Sequence, residues 1–309
     1  MECARKISLH SLYSDKMKIT TANISLTNQC NFNCKHCSVN AGEKQKDELN
    51  FAELEDLFFE LKEIGINNIE LSGGEPMLRK ELFKIVKYAK ERGFYVKILT
   101  NGSLLSKEKI NLLEELGLDE IAISLDGTKY DFYRLLRPVS RKIFRKILRN
   151  LRYLSKTKMY SKINMVLIDK NLDNLQEMIH LAEMYNLNEL RVCYFSNVGR
   201  GKNLDYAIEP LKLIEEIKKL KVSRIKFFIG VPFARFNAGC LIKENVPLTI
   251  KSNGDVYPCP LNEKSLGNIR IERLVDIISK IKARSCLKGK YNGLNPICPL
   301  RKFELKELF

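Results

Sequence analysis

Three cysteines and a histidine lie within the eight residues Cys30–Cys37, which read CNFNCKHC. The spacing is C-x3-C-x2-C, and the stretch directly follows a predicted β-strand. A structural zinc site needs four ligands, and His36, between Cys34 and Cys37, is poorly placed to complete a tetrahedron with both. A disulfide leaves one thiol over, whereas three thiolates suit a four-iron cluster with one iron open to an added ligand. Considered alone, the stretch still allows zinc.

Short β-rich runs alternate with helical patterns between residues 22 and 230. The helical patterns at 51–65 and 80–93 stop at Gly65 and Gly93, as C-terminal glycine caps do. Further helical patterns cover 107–117 and 171–186, and the six predicted strands are 22–27, 68–72, 95–100, 120–125, 162–168 and 189–195. Six βα repeats of this length imply parallel strands joined by right-handed crossovers.

Many of these strands carry polar residues on one face only, although a parallel strand between two helix layers is nearly all apolar. The polar positions are Ser25, Thr27, Glu70, Ser72, Ser124, Asn164, Arg191 and Cys193. This pattern favours an α/β fold, a partial (βα)6 TIM-like barrel with helices outside and a lumen that holds a ligand. The cysteine stretch then lies at the C-terminal mouth, where active sites form.

The pattern changes beyond residue 230. Residues 230–240 are linker-like, and 246–261 predict two strands joined at Asn253-Gly254, followed by a helix near 272–284. We therefore expect a small C-terminal hairpin-plus-helix extension that binds a cluster. The predicted domains are an N-terminal extension (1–21), a core (22–231) and an auxiliary domain (232–309).

Composition limits the class of protein. The chain has 309 residues, 45% of them hydrophobic, and 53 Lys and Arg against 37 Asp and Glu, a formal charge of +16. This excess fits a solvated basic surface or attraction to an acidic partner. No apolar run approaches the roughly 18 residues of a membrane span, so we expect a cytoplasmic protein without membrane contact. In that reducing compartment nine cysteines favour metal ligands or catalytic thiols over disulfides.

The cysteine stretch resembles the signature of the radical S-adenosylmethionine (SAM) enzymes, with His36 where most members have an aromatic residue. Gly73-Gly74-Glu75-Pro76 follows the second strand, where that family carries its GGEP motif. By itself this motif is also an ordinary strand-ending turn. The resemblance implies that Cys30, Cys34 and Cys37 bind a [4Fe-4S] cluster, that its open iron chelates SAM, and that the glycine loop holds the methionine amino group.

Further residues resemble SAM contacts of the same family. The segment Ser124-Leu125-Asp126-Gly127 with Arg134 is similar to a family motif in which the serine contacts SAM. Asp126 and Arg134 are then cofactor candidates, or else an acidic turn residue and a surface arginine. Asn101, in a Thr-Asn-Gly turn after the third strand, is a candidate for the ribose or the methionine carboxylate. Arg200, in Gly-Arg-Gly after the sixth strand, is a candidate anion contact near the adenosine, or part of a flexible loop.

A second set of cysteines begins at the hairpin. Cys240 and Cys259 flank it, so the turn brings two thiols together, and Cys286 and Cys298 raise the number to four, enough for a closed four-iron cluster. The pattern resembles the SPASM/twitch extension of some radical SAM enzymes, in its short form with one auxiliary [4Fe-4S] cluster. A zinc ribbon is the alternative.

The resemblance implies an anaerobic enzyme that cleaves SAM reductively to a 5′-deoxyadenosyl radical and abstracts hydrogen from a substrate. A ferredoxin or flavodoxin is the expected reductant. Cys193 is a candidate hydrogen-atom donor, or a buried thiol that behaves as a small apolar residue.

We rank peptide or protein modification first among substrates. About 20 residues precede the first strand, so we expect either that a leader-binding module is a separate protein or that the substrate is small. The basic chain also suits a carboxylate-rich, tetrapyrrole-type precursor. The competing class, which we rank below an enzyme, is a non-enzymatic zinc or iron–sulfur protein with nucleic acid as its partner; it predicts salt-sensitive binding without SAM cleavage.

Overall fold

A computed structural model of the chain describes residues 19–195, 197–206, 208, 210–230, 247–260, 262 and 264–281. The described residues contain ten strands in one sheet: β1 (Thr21–Ser25), β2 (Asn68–Ser72), β3 (Tyr95–Thr100), β4 (Glu120–Ser124), β5 (Tyr160–Leu167), β6 (Glu189–Tyr194), β7 (Lys226–Gly230), β8 (Leu248–Ile250), β9 (Asp255–Tyr257) and β10 (Gly267–Asn268). Their order is β10-β9-β8-β1-β2-β3-β4-β5-β6-β7, so the sheet is open.

Eight α-helices accompany the strands within the described residues: α1 (Phe51–Glu63), α2 (Leu82–Glu91), α3 (Lys107–Glu115), α4 (Tyr130–Leu136), α5 (Arg141–Leu154), α6 (Leu175–Met184), α7 (Pro210–Lys219) and α8 (Leu274–Ser279). α1 begins with a capping box between Asn50 and Glu53. The predicted glycine caps are confirmed, because Gly65 and Gly93 follow α1 and α2 with φ of +80° and +70°. None of the described helices is long and apolar enough to cross a bilayer.

Strands β1 to β7 are parallel, and the predicted partial barrel is confirmed as an open parallel sheet. All six predicted strands are present, with ends that differ by up to two residues. The structure adds β7 as a seventh parallel strand, and it adds α4 and α5 between β4 and β5. On one face of the sheet, apolar residues such as Ile24, Ile69 and Ile98 are fully buried in the main core.

The opposite face carries charged residues that pair across neighbouring strands, as the polar pattern of the sequence predicts. Lys97 on β3 lies 3.4 Å from Glu70 on β2 and 3.7 Å from Glu120 on β4. Lys162 on β5 forms a close ion pair with Glu120. On β6, Arg191 and Glu189 pair at 2.8 Å. We call this row of six charged side chains the charged floor of the barrel; its members are Glu70, Lys97, Glu120, Lys162, Glu189 and Arg191.

The predicted C-terminal hairpin is confirmed as β8 and β9, which pair antiparallel around Asn253-Gly254. Gly254 has φ of +88°, a conformation that glycine adopts at low cost. The hairpin extends the barrel sheet, because β8 pairs with β1 in parallel. The helix predicted near 272–284 is the shorter α8. The expected extension at 1–21 and the boundary near 232 fall mostly outside the described residues.

Candidate functional site

The cysteine loop, Cys30–Cys37, leaves the C-terminal end of β1 and is closed by backbone hydrogen bonds. Cys30 N donates to Gly42 O at 2.8 Å, and Gly42 N donates to Asn28 O at 2.9 Å. Cys34 is buried, Cys30 and Cys37 are half-buried, and all three are free thiols. Burial raises the pKa of Cys30 to about 11 and also raises the pKa of Cys34. Thiols with raised pKa values are neutral at pH 7. A positively charged metal centre beside them would favour the thiolate form that binds metal, so the loop suits such a centre.

The glycine loop after β2 packs directly against the chain that leads into the cysteine loop. Gly74 N donates to Thr27 O at 2.8 Å, and Glu75 N donates to Gln29 O at 2.8 Å. A Cβ on Gly74 would lie 2.2 Å from Gln29 O, and one on Gly73 would lie 2.4 Å from Thr27 O. Both glycines therefore allow a close approach between two backbone segments, which is a structural reason for them in addition to any contact with a ligand.

Glu75 is fully buried and links the glycine loop to the end of β3. Its carboxylate accepts hydrogen bonds from Thr100 Oγ1 (2.7 Å), the backbone N of Asn101 (2.8 Å) and the backbone N of Met77 (3.1 Å). Burial raises its pKa. The Asn101 side chain in turn donates to Asn31 Oδ1 in the cysteine loop at 2.9 Å. Three of the predicted motifs therefore form one connected network.

A buried ion pair reaches the cysteine loop from the β4 side. Asp126 is fully buried and accepts a hydrogen bond from Arg137 Nε at 2.6 Å. Arg137 Nη1 also donates to Cys34 Sγ at 3.5 Å, the long distance expected of a sulfur acceptor. Beside this pair, the backbone N of Lys35 donates to Leu136 O at 2.9 Å. Asp126 could be predicted from its motif but Arg137 could not, because a single arginine at the end of a helix has no distinctive pattern.

Arg134, which the motif comparison named, lies on the exposed face of α4. It pairs with Asp131 at 3.0 Å, one helical turn away, and its side chain is 58% exposed. The structure therefore does not bring Arg134 to the cysteine loop, and Arg137, three residues further, is the arginine that reaches it. Arg137 follows the last residue of α4 as its C-cap and has extended backbone angles (φ −122°, ψ 90°), so its side chain does not continue the helical face that carries Arg134.

His36 lies beside the ion pair of Asp126 and Arg137. Its Nε2 is 3.4 Å from Arg137 Nη2 and 3.9 Å from Asp126 Oδ2. Burial lowers the pKa of His36 to about 4, so the imidazole is neutral at pH 7. The Nε2 side of the ring therefore faces the ion pair.

Arg200 braces the cysteine loop from a 3₁₀ turn, Gly199–Asn203, after β6. Its Nε donates to Cys34 O at 3.0 Å, and its Nη1 donates to Ala41 O at 2.7 Å. Its backbone N donates to Cys37 O at 2.9 Å. A Cβ on the preceding Gly199 would lie 2.3 Å from Cys37 O, so the turn also packs closely. The arginine thus contacts the loop that carries the three cysteines.

Ser124 and Cys193 lie on strands at the face that carries the charged floor. Ser124 ends β4, is half-buried and pairs with Asn164 of β5. Cys193 on β6 has Val166 and Gly230 as its strand neighbours. Burial raises the pKa of Cys193, so the group is a neutral thiol at pH 7. The register places Cys193 two residues beyond Arg191 toward the mouth.

Of the four C-terminal cysteines, only Cys259 is described. It is buried and lies two residues after β9 ends. Cys240, Cys286 and Cys298 lie outside the described residues. A cavity of about 150 Å³ lies beyond the paired residues of β1 and β8, and Gly73, Lys251 and Tyr257 are among the residues that line it.

The residues of the cysteine loop fit an iron–sulfur cluster. Two buried polar atoms beside it, His36 Nδ1 and Arg200 Nη2, have no hydrogen-bond partner among the described residues, as expected where a bound group belongs. No three Cys, His, Asp or Glu side chains in the described part of the chain converge as the ligands of a single ion would. In a four-iron cluster each thiolate binds a different iron, so the thiols need not converge on one point.

An open parallel α/β barrel with a three-cysteine loop at its mouth defines the class of this protein. The Radical SAM superfamily model matches residues 24–182, about half of the chain, and an iron–sulfur cluster-binding domain model, SPASM, matches residues 240–300. The chain therefore belongs to the radical SAM superfamily and is an enzyme. Its cofactors are SAM and [4Fe-4S] clusters.

Individual relatives have different activities. An AdoMet-dependent heme synthase of Methanosarcina barkeri is 26% identical, with 86% of this chain and 85% of the relative covered. The mycofactocin maturase MftC of Mycolicibacterium smegmatis is 29% identical, with 79% and 66% covered. The structure of Streptococcus suis SuiB bound to S-adenosylmethionine has a TM-score of 0.72 at 15% identity, with 87% of this chain and 68% of SuiB covered. This last likeness shows the fold alone.

Proposed function

We propose that Cys30, Cys34 and Cys37 bind the [4Fe-4S] cluster that holds SAM. This proposal rests on the observation that two arginines hold the loop from different sides. Arg137 donates to Cys34 Sγ, and Arg200 donates to the backbone carbonyls of Cys34 and Ala41. When bound, the reduced cluster and SAM supply a 5′-deoxyadenosyl radical. The protein must position both groups and exclude water, and buried hydrogen-bond networks are suited to that task.

We assign the SAM-contacting role to the residues that surround this loop at the ends of β2, β3, β4 and β6. Gly73, Gly74 and Asn101 would contact SAM from one side and Ser124 and Arg200 from the other strands, while the fully buried Glu75 holds the glycine loop against Asn101. Asp126 acts through Arg137, because its carboxylate accepts from that guanidinium and from Val166 N (2.8 Å). We leave Arg134 out of this set, because its contacts lie on the surface.

We further propose that the substrate is a peptide. The charged floor is balanced, since Lys97, Lys162 and Arg191 each have a carboxylate partner. A multiply carboxylated small molecule needs cations that are free to pair with it, and the described floor holds none. A peptide backbone instead needs mixed hydrogen-bond donors and acceptors. The similarity to mycofactocin maturase supports the same substrate class.

A second candidate is a radical step on a tetrapyrrole-type precursor. The observation in its favour is the similarity to the heme synthase, which extends over most of both chains. In that case the carboxylates of the substrate would have to meet cations outside the described floor.

We also propose that Cys240, Cys259, Cys286 and Cys298 bind the auxiliary [4Fe-4S] cluster, within a domain that begins near residue 232. Cys193 is proposed as a hydrogen-atom donor, because its neutral thiol lies on the face of the charged floor. A ferredoxin or flavodoxin would supply the electron, and the oxygen-sensitive clusters suit an anaerobic cytoplasm. For a peptide substrate, a separate leader-binding protein is a further proposed partner.

The test is deuterium transfer. The anaerobically reconstituted, reduced enzyme should contain about eight irons per chain, from two four-iron clusters. It is incubated with SAM and deuterated candidates from both classes, and the deoxyadenosine is analysed by mass spectrometry. Deuterium from a peptide supports the first candidate, and deuterium from a porphyrin precursor overturns it. The absence of deoxyadenosine from the loaded, reduced enzyme would contradict radical chemistry altogether.

A further inference from the structure

One face of helix α5 carries positive charge without compensation. The helix, RKIFRKILRNLRYL, contains six Lys and Arg residues and no Asp or Glu. Five of the cations are exposed, and four of these, Lys142, Arg145, Arg149 and Arg152, follow one another at intervals of three and four residues. At 3.6 residues per turn these positions fall within an arc of about 80° and extend over about 15 Å. We call these four residues the basic face of α5.

The described residues offer no counter-charge to this face. None of the ion pairs among them includes Lys142, Arg145, Arg149 or Arg152. The neighbouring Lys146 has a lowered pKa because of burial and the nearby cations Lys109 and Arg149. Arg141 and Lys142 also lie in the first turn, where the helix dipole disfavours positive charge. Both the repulsion among these cations and the unfavourable helix dipole destabilise the free protein. A negatively charged partner that binds this face would offset both effects.

The basic face begins next to the cysteine loop. Ser140 caps the N-terminus of α5 by accepting from Ile143 N at 3.4 Å. Three residues before it, Arg137 donates to Cys34 Sγ. Leu136 O, one residue earlier, accepts from Lys35 N at 2.9 Å. The same short segment therefore joins the exposed cations to the loop that we assign to the cluster.

We propose that the basic face of α5 is the docking surface for an acidic one-electron carrier protein. The proposal rests on the proposed function, in which the cluster at Cys30, Cys34 and Cys37 must be reduced from outside. At this interface the carrier loses one electron and the cluster gains it, and no bond or proton is exchanged. A row of cations on the helix that follows this loop contact favours the encounter with an acidic carrier and orients it.

Two other anionic partners fit this face less well. A membrane-surface helix inserts an apolar face, but that face of α5 is already buried through Phe144, Ile147, Leu151 and Leu154. Single-stranded RNA is usually bound through exposed aromatic residues interleaved with cations, whereas the aromatic residues of α5, Phe144 and Tyr153, lie in the main core or pack against it. A folded acidic protein needs only the charges.

The test compares the charge reversal Arg145→Glu/Arg149→Glu with a control of equal charge change, Lys218→Glu/Lys221→Glu. The control lysines are exposed and lie at the end of α7 and before β7. Deoxyadenosine formation by each holoenzyme is measured with reduced flavodoxin, an acidic carrier, and separately with dithionite, at about 50 mM salt, where screening is weak. Binding of oxidised flavodoxin is measured by interferometry.

We expect the charge reversal to raise the KM and the Kd for flavodoxin at least about tenfold, and to leave the dithionite-driven rate within about twofold of wild type. The control should match wild type in every assay. Equal flavodoxin KM and Kd values for the two variants would overturn the proposal. It would also be overturned if the charge reversal abolished binding to a 20-nucleotide RNA but left flavodoxin binding intact. Failure of the dithionite reaction in the wild type would instead contradict the proposed function.

Discussion

The cysteine loop and the hairpin beside Cys259 are held by different kinds of contact. Cys30, Cys34 and Cys37 lie within eight residues, and buried contacts from three other segments fix their loop. The C-terminal cysteines are spread from Cys240 to Cys298, and the hairpin beside Cys259 joins the barrel by strand pairing along the edge of β1 and by burial of Leu248, Ile250 and Val256 in the main core. Rigid fixation suits a centre that must place a reactive group precisely enough to attack one C–H bond. An auxiliary centre has no such requirement by itself, so the comparison predicts that the two regions respond unequally to substitution.

The largest expected effect separates the two groups of cysteines. Replacing Cys30, Cys34 and Cys37 with Ala should abolish deoxyadenosine formation and leave about four irons per chain, because the auxiliary cluster keeps its ligands. Cys259→Ala should give the reverse, with C-terminal iron lost and SAM cleavage retained. Iron analysis and electron paramagnetic resonance distinguish these outcomes. Loss of all iron in the triple variant would show that the two sites are not independent.

A second prediction concerns the buried arginine at the cysteine loop. Arg137→Gln leaves the Asp126 carboxylate buried without its partner, so we expect a loss of about 3–5 kcal/mol in the free energy of unfolding. Loss of the hydrogen bond to Cys34 Sγ should also shift the reduction potential of the cluster, measured by a spectroscopic titration. The matched control is Arg134→Gln on the exposed face of α4, which should change neither quantity measurably. Equal effects of the two substitutions would contradict our assignment.

This pair of arginines shows what the sequence could and could not predict. The cysteine loop, the glycine loop and the hairpin turn were predictable, because each is local and has a distinctive composition. The choice between Arg134 and Arg137 depends on how α4 ends, which no spacing in the sequence determines. The pairing of β8 with β1 joins segments more than 200 residues apart, and such a contact has no local pattern. The same holds for Arg200, whose partners lie in the cysteine loop.

A third prediction tests the close packing of the glycine loop. Gly74→Ala would place a Cβ 2.2 Å from Gln29 O, so the two backbone segments must separate. We expect a cost of about 1–3 kcal/mol and reduced retention of the N-terminal cluster. Gly42→Ala is the control, since its added Cβ would meet nothing within 4 Å although Gly42 also borders the cysteine loop. Urea unfolding and iron content after desalting measure both effects, and an unaffected Gly74→Ala variant would show that the loop is not rigidly held.

The smallest expected effect is at the C-terminal region. Arg270, after β10, donates to Glu53 of α1 at 2.5 and 3.0 Å and to Asp47 O at 2.9 Å. This pair is partly exposed, so Arg270→Ala should cost only about 0.5–1 kcal/mol, and less at high salt. Arg273→Ala removes a more exposed pair with Glu63 and serves as the control. Both variants should cleave SAM at the wild-type rate, because neither residue contacts the cysteine loop. A slower rate for Arg270→Ala, with iron content unchanged, would mean that the position of the hairpin affects the chemistry at the cysteine loop, and the two regions would then have to be treated as one catalytic unit.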